Sequence, residues 1–132
     1  DQHRLLSRDE LEAFDADGMV SFGAHTHTHP ILSRVDDARL REEVTRSIRE
    51  VSRLRNVSST FAYPNGRSED YDQRARKLLA AVGITAGVTT VERHARTDDG
   101  QYDVPRMVVG GGMDFDTFVF AVSGLRATMG AR

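Results

Sequence analysis

Residues 36–66 read DDARLREEVTRSIREVSRLRNVSSTFAYPNG and contain one complete transition from a helix to a strand. In the first part, apolar residues recur at steps of three and four, at Leu40, Val44, Ile48, Val51 and Leu54. This spacing predicts an amphipathic helix whose charged residues form a solvated outer face. After the polar NVSS, the run TFAYP predicts a strand that ends at Pro64 and Gly66.

The same alternation continues on both sides of this segment. Upstream, Ser7 and Glu10 fit a capping box for a helix over residues 8–16 that stops at Asp17-Gly18, and MVSFGAH predicts a strand leading into a loop. Downstream we expect a helix over residues 71–82 that is capped by Gly83, followed by the strand ITAGVTT and the polar loop VERHARTDDGQYD. The chain then continues with the predicted strand DVPRMVVGG and a last helix, FDTFVFAVSGL, which is apolar enough to pack closely. Alternation of this kind favours parallel βα units, and therefore an α/β fold that is either a small open sheet or part of a larger barrel.

Length and composition limit the classes of protein that fit. A chain of 132 residues, 39% hydrophobic and 29% charged, is typical of one globular domain, so we treat residues 1–132 as a single unit. Its formal net charge of −2 gives no overall attraction to nucleic acid. The absence of cysteine excludes disulfides, thiolate metal ligands and a cysteine nucleophile. No apolar run approaches the ~20 residues that span a bilayer.

The most unusual peptide is GAHTHTHP, residues 23–30, which follows the first predicted strand as FAYPNG follows the second. If the chain turns helically there, His25 and His29 share one face and His27 points elsewhere; if it stays extended, all three share one side. Histidine is a frequent metal ligand, so a metal site is one interpretation, and a polar loop with solvated histidines is the other. A catalytic metal normally has a third protein ligand. The candidates downstream are Asp70, Asp72 and His94, and none has a spacing from the histidines that is typical of a metal site.

These two peptides together resemble motifs of a known family. His25-Thr26-His27-Thr28-His29-Pro30 resembles the second motif of the polysaccharide deacetylase (NodB homology) family, and residues 61–66 are similar to its third motif. The order and the separation agree, and the resemblance extends over about residues 5–109. It implies part of a deformed (β/α) barrel, seven-stranded in the full domain, that removes N-acetyl, or sometimes O-acetyl, groups from a sugar polymer.

The resemblance also implies roles for individual residues. His25 and His29 would hold a divalent metal, usually zinc, together with an aspartate of the first motif, while Thr26 would steady the loop and His27 would have no role. The backbone amide of Asn65 would match the oxyanion donor of the family. Metal chemistry suits this reaction, since a bound metal acidifies water and polarises an acetyl carbonyl.

The side chains around the third motif have two interpretations each. Tyr63 and Pro64 are candidate substrate-binding residues, because a Tyr63 that faces a cleft would stack on a sugar ring, whereas core packing would equally explain the aromatic side of this strand. Ala62 stands where the family often has an arginine that orients the catalytic base. Arg106, on a later predicted strand, is a candidate for that charge, or else makes a surface ion pair.

The first motif, a pair of aspartates that supplies the base and the third ligand, has no counterpart in this sequence. We therefore expect residues 1–132 to be the C-terminal portion of a catalytic domain, inactive on its own, with the first motif upstream. The resemblance also implies a last motif with a histidine that acts as general acid. No histidine follows His94 in this sequence, so the general acid is unassigned. The partner would be a polysaccharide or oligosaccharide, and an extracytoplasmic or cell-envelope location is favoured. The alternative is a non-catalytic relative that binds carbohydrate or serves structurally, with vestigial histidines.

Overall fold

The computed structural model describes residues 5–124. In chain order, its helices and strands are α1 (Arg8–Asp17), β1 (Phe22–Ala24), α2 (Asp37–Val51), β2 (Val57–Ala62), α3 (Gln73–Ala81), β3 (Ala86–Glu92), β4 (Val104–Arg106) and α4 (Phe115–Val122). A short 3₁₀ helix, Leu32–Arg34, lies between β1 and α2. The predicted alternation of helices and strands is confirmed.

The strands form one sheet in the order β1-β2-β3-β4, and every neighbouring pair is parallel. Ala24 at the end of β1 pairs with Phe61 near the end of β2, and Phe61 pairs in turn with Gly87 in β3. Because the strands run the same way, their carboxyl ends lie along one edge of the sheet, and the loops that follow β1 and β2 leave from that edge. The predicted α/β fold of parallel βα units is therefore confirmed.

The helix ends follow the capping residues. The Glu10 N–H donates to Ser7 Oγ at 3.2 Å and the Ser7 N–H donates to the Glu10 carboxylate at 2.8 Å, so the predicted capping box is formed. The third helix begins at Gln73 rather than at Tyr71, because Asp72 caps it by accepting the backbone N–H groups of the first turn. The second helix ends at Val51, so Leu54 lies in the connection to β2 rather than in the helix.

The core lies between the sheet and the helices α2 and α3. Leu40 and Val44 from α2, Phe61 from β2 and Leu79 from α3 are all buried. Leu40 and Val44 are two of the apolar positions that the sequence periodicity selects, because an amphipathic helix turns its apolar stripe toward the sheet.

An aromatic cluster connects β2 to the start of α3. The Tyr63 ring contacts Phe61 edge-on, with 5.6 Å between ring centroids, and stacks on Tyr71 at 3.9 Å. The Tyr71 hydroxyl donates to Asp103 at 2.7 Å, and the Arg76 guanidinium pairs with the same carboxylate at 2.7 Å. This cluster anchors the residues that precede β4 against α3.

The last helix differs from the expectation. We expected it to pack closely, but α4 has no buried residue, and the side chain of Phe115 is 76% exposed. An apolar sequence indicates that a helix has a surface to bury, but it does not place a partner surface beside it. No helix within residues 5–124 combines the length and the apolar character needed to cross a membrane.

A buried carboxylate holds the chain at the amino end of β2. Asp15, near the end of α1, accepts the backbone N–H of Arg55 at 2.8 and 2.9 Å and that of Asn56 at 2.8 Å, just before β2 begins. The hydrogen bond from Arg55 outweighs the effect of burial and, with that from Asn56, holds the pKa of Asp15 below its ordinary value. Asp15 therefore acts as a structural cap at the amino end of β2, whereas the histidine loop leaves from the carboxyl end of β1.

Candidate active site

The loops after β1 and β2 meet at the carboxyl edge of the sheet. The histidine loop, residues 25–30, leaves β1 at Ala24, and the loop of residues 63–66 leaves β2 at Ala62. His25 Nδ1 lies 2.7 Å from the backbone carbonyl oxygen of Ala62 and joins the two loops directly. A carbonyl oxygen only accepts hydrogen bonds, so Nδ1 is the donor, and in the neutral form of the ring the lone pair is on Nε2.

His25 and His29 lie side by side. Their ring centroids are 4.9 Å apart with an interplanar angle of 72°, and both residues are exposed. His27 is exposed as well, but it makes no ring contact with either of them among the residues described. The structure thus brings together the two histidines that the helical-turn interpretation paired, and leaves His27 apart.

The turn that pairs them is not helical, however. Thr26 has φ 61° and His29 has φ 60°, which places both in the left-handed region. The His29 N–H donates to Thr26 Oγ1 at 3.1 Å and closes the turn. A β-branched residue such as threonine adopts this conformation rarely, so the loop needs contacts that hold it.

Glu43 in α2 provides such contacts. Its carboxylate accepts the backbone N–H groups of His27 at 2.8 Å and Thr28 at 2.7 Å, together with the Thr28 hydroxyl at 2.6 Å. The Arg39 guanidinium pairs with it at 2.7 Å. Burial raises the pKa of Glu43, but these hydrogen bonds and the charge of Arg39 outweigh it, so the pKa lies below its ordinary value and the group is ionised at neutral pH.

Sequence analysis missed Glu43. We expected the glutamates of this helix to be solvated, but the Glu43 side chain is only 1% exposed. Its position was the available signal, because Leu40, Val44 and Ser47 are buried on the same helix and Glu43 falls on their face. A charged residue on the apolar face of a helix requires a partner inside the protein.

The second loop presents a backbone amide. Asn65 is exposed and has φ 56°, and its carbonyl oxygen accepts the Thr90 hydroxyl at 2.5 Å. Gly66 follows with φ 71°, and a Cβ there would lie 2.9 Å from the backbone nitrogen of Thr90, so only glycine fits. Within residues 5–124 the Asn65 N–H has no hydrogen-bond acceptor, which leaves it free for a ligand.

Comparison with known proteins identifies the family. The sequence profile described as polysaccharide deacetylase matches residues 2–87. The chain belongs to the polysaccharide deacetylase family. No curated protein sequence matches it.

A solved structure has the same fold. The chain is similar to the Streptococcus pyogenes deacetylase PplD in complex with acetate, with a TM-score of 0.73 and 24% sequence identity. The match covers 88% of this chain and 50% of that one, so the chain spans half the length of this relative. The four-stranded parallel sheet corresponds to part of the deformed (β/α) barrel that the resemblance implied.

The two candidate substrate-binding residues, Tyr63 and Pro64, are both buried in the structure. Tyr63 is 1% exposed, and its hydroxyl donates to the backbone carbonyl of Tyr102 at 3.0 Å. Pro64 is fully buried as well. Both side chains therefore lie in the core. The Tyr63 ring, directly after β2, contacts Phe61 and Tyr71, which is the arrangement that the core-packing interpretation predicted for this residue.

Arg106 lies at the carboxyl end of β4. Its Nε donates to the backbone carbonyl of Thr89 in β3, and in the described part of the chain it forms no ion pair. Its guanidinium is thus held at the edge of the sheet that carries the histidine loop, two strands away from β2. The surface ion pair that was the alternative interpretation is absent from residues 5–124.

The donor set is suited to a metal but provides only part of a site. An imidazole whose Nδ1–H is bonded to a backbone carbonyl is the usual form of a ligating histidine, and His25 has this arrangement. Asp70 and Asp72 have structural roles, since Asp70 accepts the Arg67 N–H and Asp72 caps α3. Among the described residues, no three histidine, aspartate or glutamate side chains are grouped around one point.

We predict that His25 is the Nδ1-protonated tautomer in the metal-free protein, because its Nδ1 must donate to Ala62. Long-range ¹H–¹⁵N correlation spectra at alkaline pH would show the protonated-nitrogen shift at Nδ1 and the lone-pair shift at Nε2. His27, whose exposed ring has no such contact, serves as the internal control, since it should show the mixture typical of free imidazole. An Nε2-protonated His25 would contradict the geometry.

Proposed function

We propose that the protein containing this chain is a metal-dependent hydrolase that removes N-acetyl groups from a polysaccharide or another glycan containing N-acetylglucosamine. The observation that carries the proposal is that the paired rings of His25 and His29 and the free N–H of Asn65 belong to two neighbouring loops, which leave the same edge of the sheet in a chain of the deacetylase family. An acetyl-amide hydrolase needs an activated water and a donor for the developing oxyanion, and these two loops supply groups for both.

In this proposal the histidines hold a divalent metal. Zinc is the cation that fits best, because imidazole is among its common ligands in hydrolases. Such a metal, when bound, acidifies water and polarises the acetyl carbonyl. The hydrogen bond to Ala62 orients the His25 ring and leaves its Nε2 available, and the Thr26 hydroxyl closes the turn that brings His29 alongside.

The Asn65 N–H is proposed as the oxyanion donor. The left-handed conformation of Asn65 is fixed on both sides, by the Thr90 hydroxyl on its carbonyl oxygen and by Gly66 packed against the Thr90 backbone. A donor held in place before the reaction stabilises the charge that develops on the acetyl oxygen without needing to reorganise, and one such donor contributes roughly 10²–10³ in kcat.

Arg106 is proposed to add positive charge at the same edge, where it would orient the catalytic base. Its support is its position at the end of β4, tied to the Thr89 carbonyl. The base and the third ligand are proposed to come from the first family motif. A glycan substrate also makes the cell envelope the proposed place of action.

We predict that His25→Ala and His29→Ala each reduce acetate release from N-acetylglucosamine oligomers by more than about 100-fold, because each removes a metal ligand. His27→Ala is the matched control in the same loop. Its side chain is exposed and its backbone N–H is retained, so its rate should stay within about twofold of the wild-type rate.

These variants also separate the alternative function. Wild-type rates in both His25→Ala and His29→Ala would rule out the assignment. A wild-type protein that binds the oligomers without releasing acetate would instead indicate the carbohydrate-binding relative. Released acetate is measured enzymatically, and binding by calorimetry.

A second prediction concerns Asn65. If it acts through its backbone, Asn65→Gly should keep acetate release within a few-fold of wild type, because glycine retains the N–H and adopts a φ near 56° readily. Asn65→Ala lacks the same side chain but favours negative φ, so we expect a loss of about tenfold or more. Equal, large losses in both variants would show that the side-chain amide is required instead.

A further inference from the structure

Glu43 is a buried carboxylate beside the histidine loop, and the proposed reaction does not use it. It lies on α2, touches neither His25 nor His29 in any contact of the described residues, and is nevertheless surrounded by hydrogen-bond donors from the loop between them. We propose that Glu43 is a positioning residue, which holds the histidine loop in the conformation that places the His25 and His29 rings together for metal binding. This inference rests on the proposed metal role of the two histidines.

The contacts of Glu43 lie at the middle of the loop. One carboxylate oxygen accepts both backbone N–H groups of His27 and Thr28, and the other accepts the Thr28 hydroxyl and the Arg39 guanidinium. Arg39 also donates to the Thr28 hydroxyl oxygen at 3.0 Å. The two residues held in this way, His27 and Thr28, lie between the candidate ligands His25 and His29, so the carboxylate fixes the path of the chain between the ligand positions.

That path is one the loop would not keep by itself. The residues on either side of this segment, Thr26 and His29, both have positive φ, and neither is glycine. Conformations of this kind persist when the surrounding structure holds them in place. The start of the loop is held by His25 on the Ala62 carbonyl and its turn is closed by the His29 N–H on Thr26. The described contacts on its middle, His27 and Thr28, come from Glu43 and from its ion-pair partner Arg39.

The contacts that Glu43 makes with the loop require a carboxylate. All of its partners are donors, so both oxygens must be acceptors. Glutamine has nearly the same shape but turns an NH₂ group toward one set of donors, which leaves either the backbone N–H groups or the Thr28 and Arg39 pair without an acceptor. Glu43→Gln is therefore a small change in volume and a large change in hydrogen bonding.

Loss of a buried carboxylate also lowers stability, so the test needs a control that is only structural. Asp15 is such a control, because it is a buried carboxylate that accepts backbone N–H groups just before β2, at the end of the strand away from the histidine loop. Glu42→Gln controls for charge, since Glu42 is exposed, neighbours Glu43 and pairs with the same Arg39 at 2.9 Å. Among the described residues, neither carboxylate has a hydrogen bond or ion pair to the histidine loop.

The first measurement uses the metal-free, full-length protein. In wild type, in Asp15→Asn and in Glu42→Gln, we expect a nuclear Overhauser effect between the ring protons of His25 and His29, whose centroids lie 4.9 Å apart. In Glu43→Gln this effect should disappear and the amide protons of His27 and Thr28 should exchange faster. A retained ring contact with unchanged exchange would overturn the proposal.

The second measurement is the zinc dissociation constant by chelator competition. Glu43→Gln should weaken binding by about 10- to 100-fold, and Asp15→Asn and Glu42→Gln by less than about twofold. Equal loss in Asp15→Asn would show a general effect of stability and would overturn the proposal. If Glu43→Gln does not fold, Thr28→Val is used instead, because it removes only the hydroxyl contact; it should weaken zinc binding a few-fold. An unchanged zinc affinity in Thr28→Val would contradict the positioning role of Glu43.

The two measurements separate the proposals. If the wild-type protein binds no zinc, the deacetylase proposal fails, whereas the ring contact still decides whether Glu43 positions the loop. If zinc binds and the ring contact is insensitive to Glu43→Gln, only the positioning role fails.

Discussion

Parallel pairing of β1 with β2 is the constraint on which the candidate site depends. Because Ala24 lies opposite Phe61, the chain leaves both strands at the same edge of the sheet, and His25 reaches the carbonyl oxygen of Ala62. Pairing of β2 with β3 then brings Thr90 to the Asn65 turn. A histidine pair and a backbone donor that are far apart in sequence are thereby placed in neighbouring loops at the same edge of the sheet.

The core and the loops at the carboxyl ends of the strands have different roles. The core residues of α2, β2 and α3 provide stability, whereas the loops carry residues in left-handed conformations and keep polar groups exposed. Such loops are stable only if other elements hold them, and here a helix supplies a buried charge for that purpose. The helix α2 thus has two roles: the apolar residues of its inner face pack in the core, and Glu43 accepts hydrogen bonds from the histidine loop.

Much of this arrangement could be predicted from the sequence, for reasons that differ by residue. The period of Leu40 and Val44 and the capping box of Ser7 and Glu10 are local signals, and they correctly predicted helices. The pairing of His25 with His29 over His27 was predicted as one of two alternatives, because the choice depends on φ angles that sequence does not specify. The roles of Glu43, Tyr63 and α4 depend on which surface lies opposite each side chain, and this is a property of the tertiary structure.

The central claim is that His25 and His29 are two ligands of one catalytic metal. Anomalous diffraction at the zinc edge, from crystals of the full-length protein grown with zinc, tests it most directly. The account predicts one strong peak about 2.0–2.1 Å from an imidazole nitrogen of each of these two residues, with His27 outside coordination distance. Zinc bound elsewhere, with both rings free of metal, would contradict it.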